Sequence, residues 1–92
     1  MLVHVRFDSQ VRRLAGCDRI SVEVDSAASL EQVVQKVATE GTEQLRSTLL
    51  EDQNSLRSSI LVFLNDVLIA KGQPIELQEG TELTLTTLIS GG

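Results

Sequence analysis

The sequence predicts an α+β roll: a mixed sheet with one principal helix packed across one face. Three observations carry this. Several segments have the alternating or short apolar runs of strands, a single longer segment repeats its apolar residues at the helical period, and their order is β-β-α-β-β-β. At 92 residues the chain is one domain. A chain this short buries little more than ~60% of its unfolded surface, so it can hold one modest core. That core must be aliphatic, because Phe7 and Phe63 are the only aromatics.

The first element is LVHVRFD, in which Val3, Val5 and Phe7 point one way and His4 and Arg6 the other. This is the pattern of a half-buried strand. QVRRLAGC makes a short, turn-like helical connection ending near Gly16. RISVEVD alternates again, with Ile20, Val22 and Val24 inward and Ser21, Glu23 and Asp25 outward. Two strands so close in sequence predict an antiparallel pair. In SLEQVVQKVATEG the period changes: Leu30, Val33, Val34, Val37 and Ala38 form one helical stripe. Ser29 and Gln32 have the spacing of a capping box, and Gly41 is the expected stop.

TEQLRSTLLEDQNS reads as a shorter helical or irregular piece with Leu45 and Leu49 inward, its polar tail a loop. SILVFLND is apolar on both faces: Ile60, Val62 and Leu64 inward, Leu61 and Phe63 outward. Such a strand is either covered on both sides or half of a docking surface. Asn65-Asp66 turns into the short strand VLIA; Pro74, Ile75 and Leu77 pack a connection, and Glu79-Gly80 makes another turn. ELTLTTLI closes the fold with Leu83 and Leu85 inward. The expected core is therefore Val3, Val5, Phe7, Val22, Val34, Val37, Val62, Leu64, Leu83 and Leu85.

Composition excludes several functions. A net charge of −5 disfavours nucleic-acid binding, which needs a basic footprint. No run of about 18 apolar residues is present to span a membrane, and no basic segment precedes an apolar one at the N-terminus. The expectation is a cytoplasmic domain without an internal disulfide, since there is one cysteine. Charge is also segregated: no base follows Lys71, whereas Glu76, Glu79 and Glu82 do. An acidic end favours a basic partner, although an ordinary solvated surface would look the same.

A catalytic or metal constellation is missing. Metal sites need several ligands at suitable spacing, and here one His and one Cys stand apart. His4 reads as a surface residue. Cys17 has Arg12, Arg13 and Arg19 near it in sequence, the setting a reactive thiol requires, but reads as incidental. Neither phosphate-binding glycine loop occurs. The exception is the terminal LISGG. Glycines add nothing to packing and cost ordering entropy, so they are either accidental or the working part. An α-carboxyl is ionised at neutral pH and is an oxygen nucleophile. On a thin tether without Cβ atoms it can enter a narrow channel of another protein.

On these residues the chain resembles the MoaD/ThiS family of ubiquitin-like sulfur carriers, most of all the small subunit of molybdopterin synthase. VRF followed by VRRLAG looks like that subunit's first strand and turn, SLEQVVQKVA sits where its main helix sits, and FLND looks like its hairpin turn. LQEGTELTLTTLISGG resembles its closing strand and Gly-Gly. Thr87 and Leu88 stand where that subunit often has two prolines; the threonine is nearer to the thiamine sulfur carrier.

The resemblance implies a β-grasp domain over residues 1–88 and an extended flexible tail over residues 89–92. It implies that an E1-like adenylating enzyme activates the Gly92 carboxylate with ATP, that a persulfide sulfur donor converts it to a thiocarboxylate, and that the sulfur passes to a larger synthase subunit or another sulfur-accepting enzyme. The carrier would bind no cofactor or metal permanently and catalyse nothing alone. Leu88, Ile89, Ser90 and Gly91 would contact partners together with Leu61 and Phe63, which with Leu88 form an expected apolar docking face. Three alternatives stay open: a carrier for thiamine or another sulfur-containing metabolite, a protein modifier joined through Gly92 to lysines, and an interaction domain with an incidental Gly-Gly.

Overall fold

The computed structural model describes residues 1–52, 55–70 and 73–87. Its elements in order are β1 (Leu2–Phe7), α1 (Ser9–Ala15), β2 (Arg19–Glu23), α2 (Leu30–Glu40), α3 (Glu43–Leu49), β3 (Ile60–Leu64), β4 (Val67–Ile69) and β5 (Glu82–Thr87). The strands form one mixed sheet in the order β2-β1-β5-β3-β4. β1 pairs with β2 antiparallel and with β5 parallel, so the first and last strands lie side by side at the centre. β3 pairs antiparallel with both β5 and β4.

Helix α2 covers one face. Its stripe Leu30, Val33, Val34, Val37 and Ala38 is buried against Val3, Val5, Phe7, Val22, Ile60, Val62, Leu83 and Leu85. The helix starts where the sequence marks it: Ser29 Oγ accepts from Gln32 N at 3.2 Å, and Ser29 N donates to Gln32 Oε1 at 2.8 Å. These bonds satisfy two donors that a helix start otherwise leaves to water. Lys36 Nζ donates to the Glu23 carbonyl, tying α2 to the end of β2. Leu45 and Leu49 of α3 and Val11 of α1 extend the core.

The structure corrects three details. Leu64, expected in the core, packs against it but is only partly buried, because it ends β3 where the chain turns out to solvent; Ile20 and Val24 do point inward and pack against the core, but are likewise only half-buried at the sheet margin. Gly41 does end α2, but with φ −99° it needs no left-handed conformation. Space selects it: a Cβ there would lie 2.6 Å from Leu45 Cδ2. Leu50 and Leu77 join the core from loops, where periodicity carries no signal.

Left-handed geometry is required elsewhere. Gly16 closes α1 at φ 78° and Gly80 forms its turn at φ 82°. Asn65 and Asp66 both have positive φ, the conformation of a two-residue turn whose twist matches that of its strands. Asn65 Oδ1 also accepts from Glu82 N at 3.1 Å, pinning the hairpin to β5. Among the described residues no helix is long and apolar enough to cross a membrane.

Candidate functional site

The site begins with the place from which the C-terminal segment departs. β5 is flanked by β1 and β3, and its side chains Leu83 and Leu85 are fully buried. At its end Thr87 pairs with Ile60 of β3. On the other side Asp8 N donates to the Leu85 carbonyl at 3.0 Å, and Thr86 Oγ1 donates to Ser9 Oγ at 3.2 Å. Ser9 adopts φ 55°, which turns the chain from β1 into α1 beside this exit. The end of the central strand β5 is thus held from two sides, through Leu85 and Thr86 on one and Thr87 on the other. Leu88, Ile89, Ser90, Gly91 and Gly92, the predicted reacting and contacting residues of the tail, lie outside the described residues.

The second part is the sheet face that α2 leaves open. Alternation sends Leu2, His4 and Arg6 of β1 to it, and the registers add Arg19 and Ser21 of β2, Glu82, Thr84 and Thr86 of β5, Leu61 and Phe63 of β3, and Leu68 of β4. Leu61 and Phe63, predicted outward, do share this face, yet both are half-buried rather than freely exposed. Phe63 stands between Thr84 and Leu68. Leu68, 53% exposed, extends the apolar strip to the edge strand, and Val67 beside it is 66% exposed. Sequence reasoning assigned neither to the surface; only the register of the Asn65-Asp66 hairpin aligns Leu68 with Phe63.

The polar half of the face is knitted together. His4 Nδ1 and Ser21 Oγ are hydrogen-bonded at 2.7 Å, and Arg19 reaches over β1 to Glu82 at 3.4 Å. The acidic C-terminal third is therefore partly used within the fold: Glu82 faces Arg19, and Glu79 Oε1 accepts from Leu2 N at 3.0 Å. Cys17 is exposed, but two of the three arginines near it in sequence face carboxylates, Arg12 toward Asp18 and Arg19 toward Glu82. No group of three or more potential metal ligands occurs among the described residues. The arrangement can present a tail at a fixed point beside a face that is half apolar, half charged.

Comparison with known proteins gives this arrangement a context. A model of the ThiS family matches residues 5–92. No curated protein matches the chain. Among solved structures it is similar to SAMP1 from Haloferax volcanii, with TM-score 0.84 and 24% identity over 100% of both chains. Similarity to Urm1 from Trypanosoma brucei has TM-score 0.75 and 21% identity, covering 99% of this chain and 95% of that one. A chain in the complex of subunits 1 and 2 of molybdopterin-converting factor from Helicobacter pylori matches with TM-score 0.60 and 22% identity over 100% of both. These likenesses identify the fold as the ubiquitin-like β-grasp.

Proposed function

Because this chain belongs to the ThiS family, we propose that it is a sulfur carrier whose C-terminal Gly92 carboxylate is adenylated, converted to a thiocarboxylate and used to donate sulfur in molybdopterin biosynthesis. The observation that carries the reading is the family match running to residue 92, on a fold whose central strand ends at Thr87. From that anchored point five residues remain. Fully extended they reach at most about 17 Å, enough for the terminus to enter another protein's active site.

The chemistry follows from a carboxylate and its partners. An E1-like adenylating enzyme binds ATP; a Gly92 carboxylate oxygen attacks the α-phosphorus and pyrophosphate leaves. A persulfide's outer sulfur then attacks the acyl carbon and AMP departs. A second thiol breaks the S–S bond, leaving the thiocarboxylate and a disulfide. In the larger synthase subunit the thiocarboxylate sulfur attacks a carbon of the bound precursor and displaces an oxygen leaving group; water then cleaves the acyl–sulfur bond, leaving the thiol on the product and restoring the Gly92 carboxylate. In this scheme the chain contributes the tail and the docking face, and its partners contribute catalysis.

The test is intact mass spectrometry after incubation with the adenylating enzyme, ATP and a persulfide donor. The expected product has one sulfur in place of one terminal oxygen, and it yields molybdopterin when mixed with the larger subunit and precursor. Sulfur loading without molybdopterin formation would move the assignment to thiamine or another sulfur-containing product. Conjugation to lysines, with no sulfur delivered to a small molecule, would make the chain a protein modifier.

A further inference from the structure

One row of the open face is left unbalanced by the fold. In register across all five strands stand Arg19, Arg6, Thr84, Phe63 and Leu68. With neighbouring strands about 4.8 Å apart, the row is roughly 19 Å long. One end is cationic and the other apolar. Arg6 and Arg19 lie directly opposite one another, a pairing of like charges that destabilises a sheet. Glu82 compensates Arg19. Arg6 is exposed and has no side-chain partner among the described residues. Among the described residues no acid balances this guanidinium, and a single strand, β5, separates it from the apolar strip.

We propose that Arg6 is the ionic anchor of the docking face: it receives a carboxylate of the adenylating enzyme while Phe63 and Leu68 meet an apolar surface beside it. This rests on the sulfur-carrier reading. The row crosses β5 at Thr84, three residues before Thr87, or about 10 Å along the strand. A protein gripping the row can therefore also receive the tail. The adenylating enzyme is the occupant because it must recognise the folded domain before the tail bears any chemical mark.

The experiment compares the wild type with Arg6→Gln, Arg6→Glu and, as a charge control, Arg13→Gln. Arg13 is an exposed residue of α1, outside the sheet face. ATP–pyrophosphate exchange by the adenylating enzyme is measured against carrier concentration at low and high salt, together with each variant's Tm. Arg6→Gln is expected to raise KM about threefold, the scale of one exposed ion pair, and Arg6→Glu about tenfold or more by setting like charges together. Both effects should shrink with salt, kcat should hold, and Tm should stay level or rise as the Arg6–Arg19 repulsion is relieved. Arg13→Gln should leave KM unchanged.

Several results would overturn the proposal. They are a wild-type KM in Arg6→Glu, equal effects of Arg6→Gln and Arg13→Gln, a fallen Tm in Arg6→Gln, or loss of sulfur delivery with activation intact. If the wild type itself supports no exchange, the carrier reading fails and takes this inference with it.

Discussion

Glycine 91 and glycine 92 differ from the glycines inside the fold in what they are asked to do. Gly41 is selected by the Leu45 side chain and Gly16 and Gly80 by positive φ, all of them structural demands. The terminal pair has a chemical demand under the proposed function: a thin approach and a carboxylate at a set distance. Adding one residue after Gly92 is expected to abolish acyl-adenylate formation, because the carboxylate moves past the α-phosphate. Gly91→Val is expected to cripple it too, by putting a branched side chain in a narrow channel and restricting φ. Neither should change Tm. The check is pyrophosphate release with the adenylating enzyme; normal adenylation of the extended tail would remove the carrier assignment.

Helix α2 and strand β3 show how single elements hold and use the fold. The Ser29–Gln32 box starts α2 beneath the core residue Leu30. Ser29→Ala removes the acceptor for Gln32 N, and a loss of about 1 kcal/mol is expected. In a domain this size that is roughly 4–8 °C in Tm, readable by thermal unfolding. β3 serves two faces at once. Val62 is buried beneath α2, while Phe63 shares the open face with Thr84 and Leu68. Phe63→Ser should therefore weaken binding of the adenylating enzyme by about tenfold or more, as a central aromatic does in an interface. The domain should remain folded by circular dichroism. Unchanged affinity in a titration would show that this face is not where the partner sits.

At the scale of the molecule, stability rests on one aliphatic layer between α2 and the sheet. Val34, Val3, Leu83 and Leu85 in that layer are completely buried. Val34→Asp buries a carboxyl group with no partner, so a loss of several kcal/mol is expected, enough to unfold much of a marginal domain. A Tm equal to that of the wild type would mean that α2 is packed differently. The whole-molecule charge, in contrast, says little about the docking face. The chain is net −5, yet the face displays two opposed arginines and one of its acids is spent on Arg19. A partner matched to the overall charge would be basic; one matched to Arg6 is acidic.

The sequence by itself determined whatever depends on near neighbours along the chain. Alternation in LVHVRF and ELTLTT set which residues face α2, the helical stripe and the Ser29 cap located α2, and Asn65-Asp66 located the hairpin. The same local reading placed Arg6, Leu61 and Phe63 outward. The proposed role of the C-terminal Gly-Gly is likewise argued from adjacent residues alone, since residues 88–92 lie outside the described residues. Only the tertiary structure decided which strands meet. The parallel pairing of β1 with β5 joins residues nearly eighty positions apart, and no local pattern encodes its register. That register makes one row of Arg19, Arg6, Thr84, Phe63 and Leu68, turns Glu82 toward Arg19, and leaves Arg6 unmatched. Side-chain direction is a property of the local backbone, whereas charge and surface shape arise only where distant segments are brought within a few ångströms.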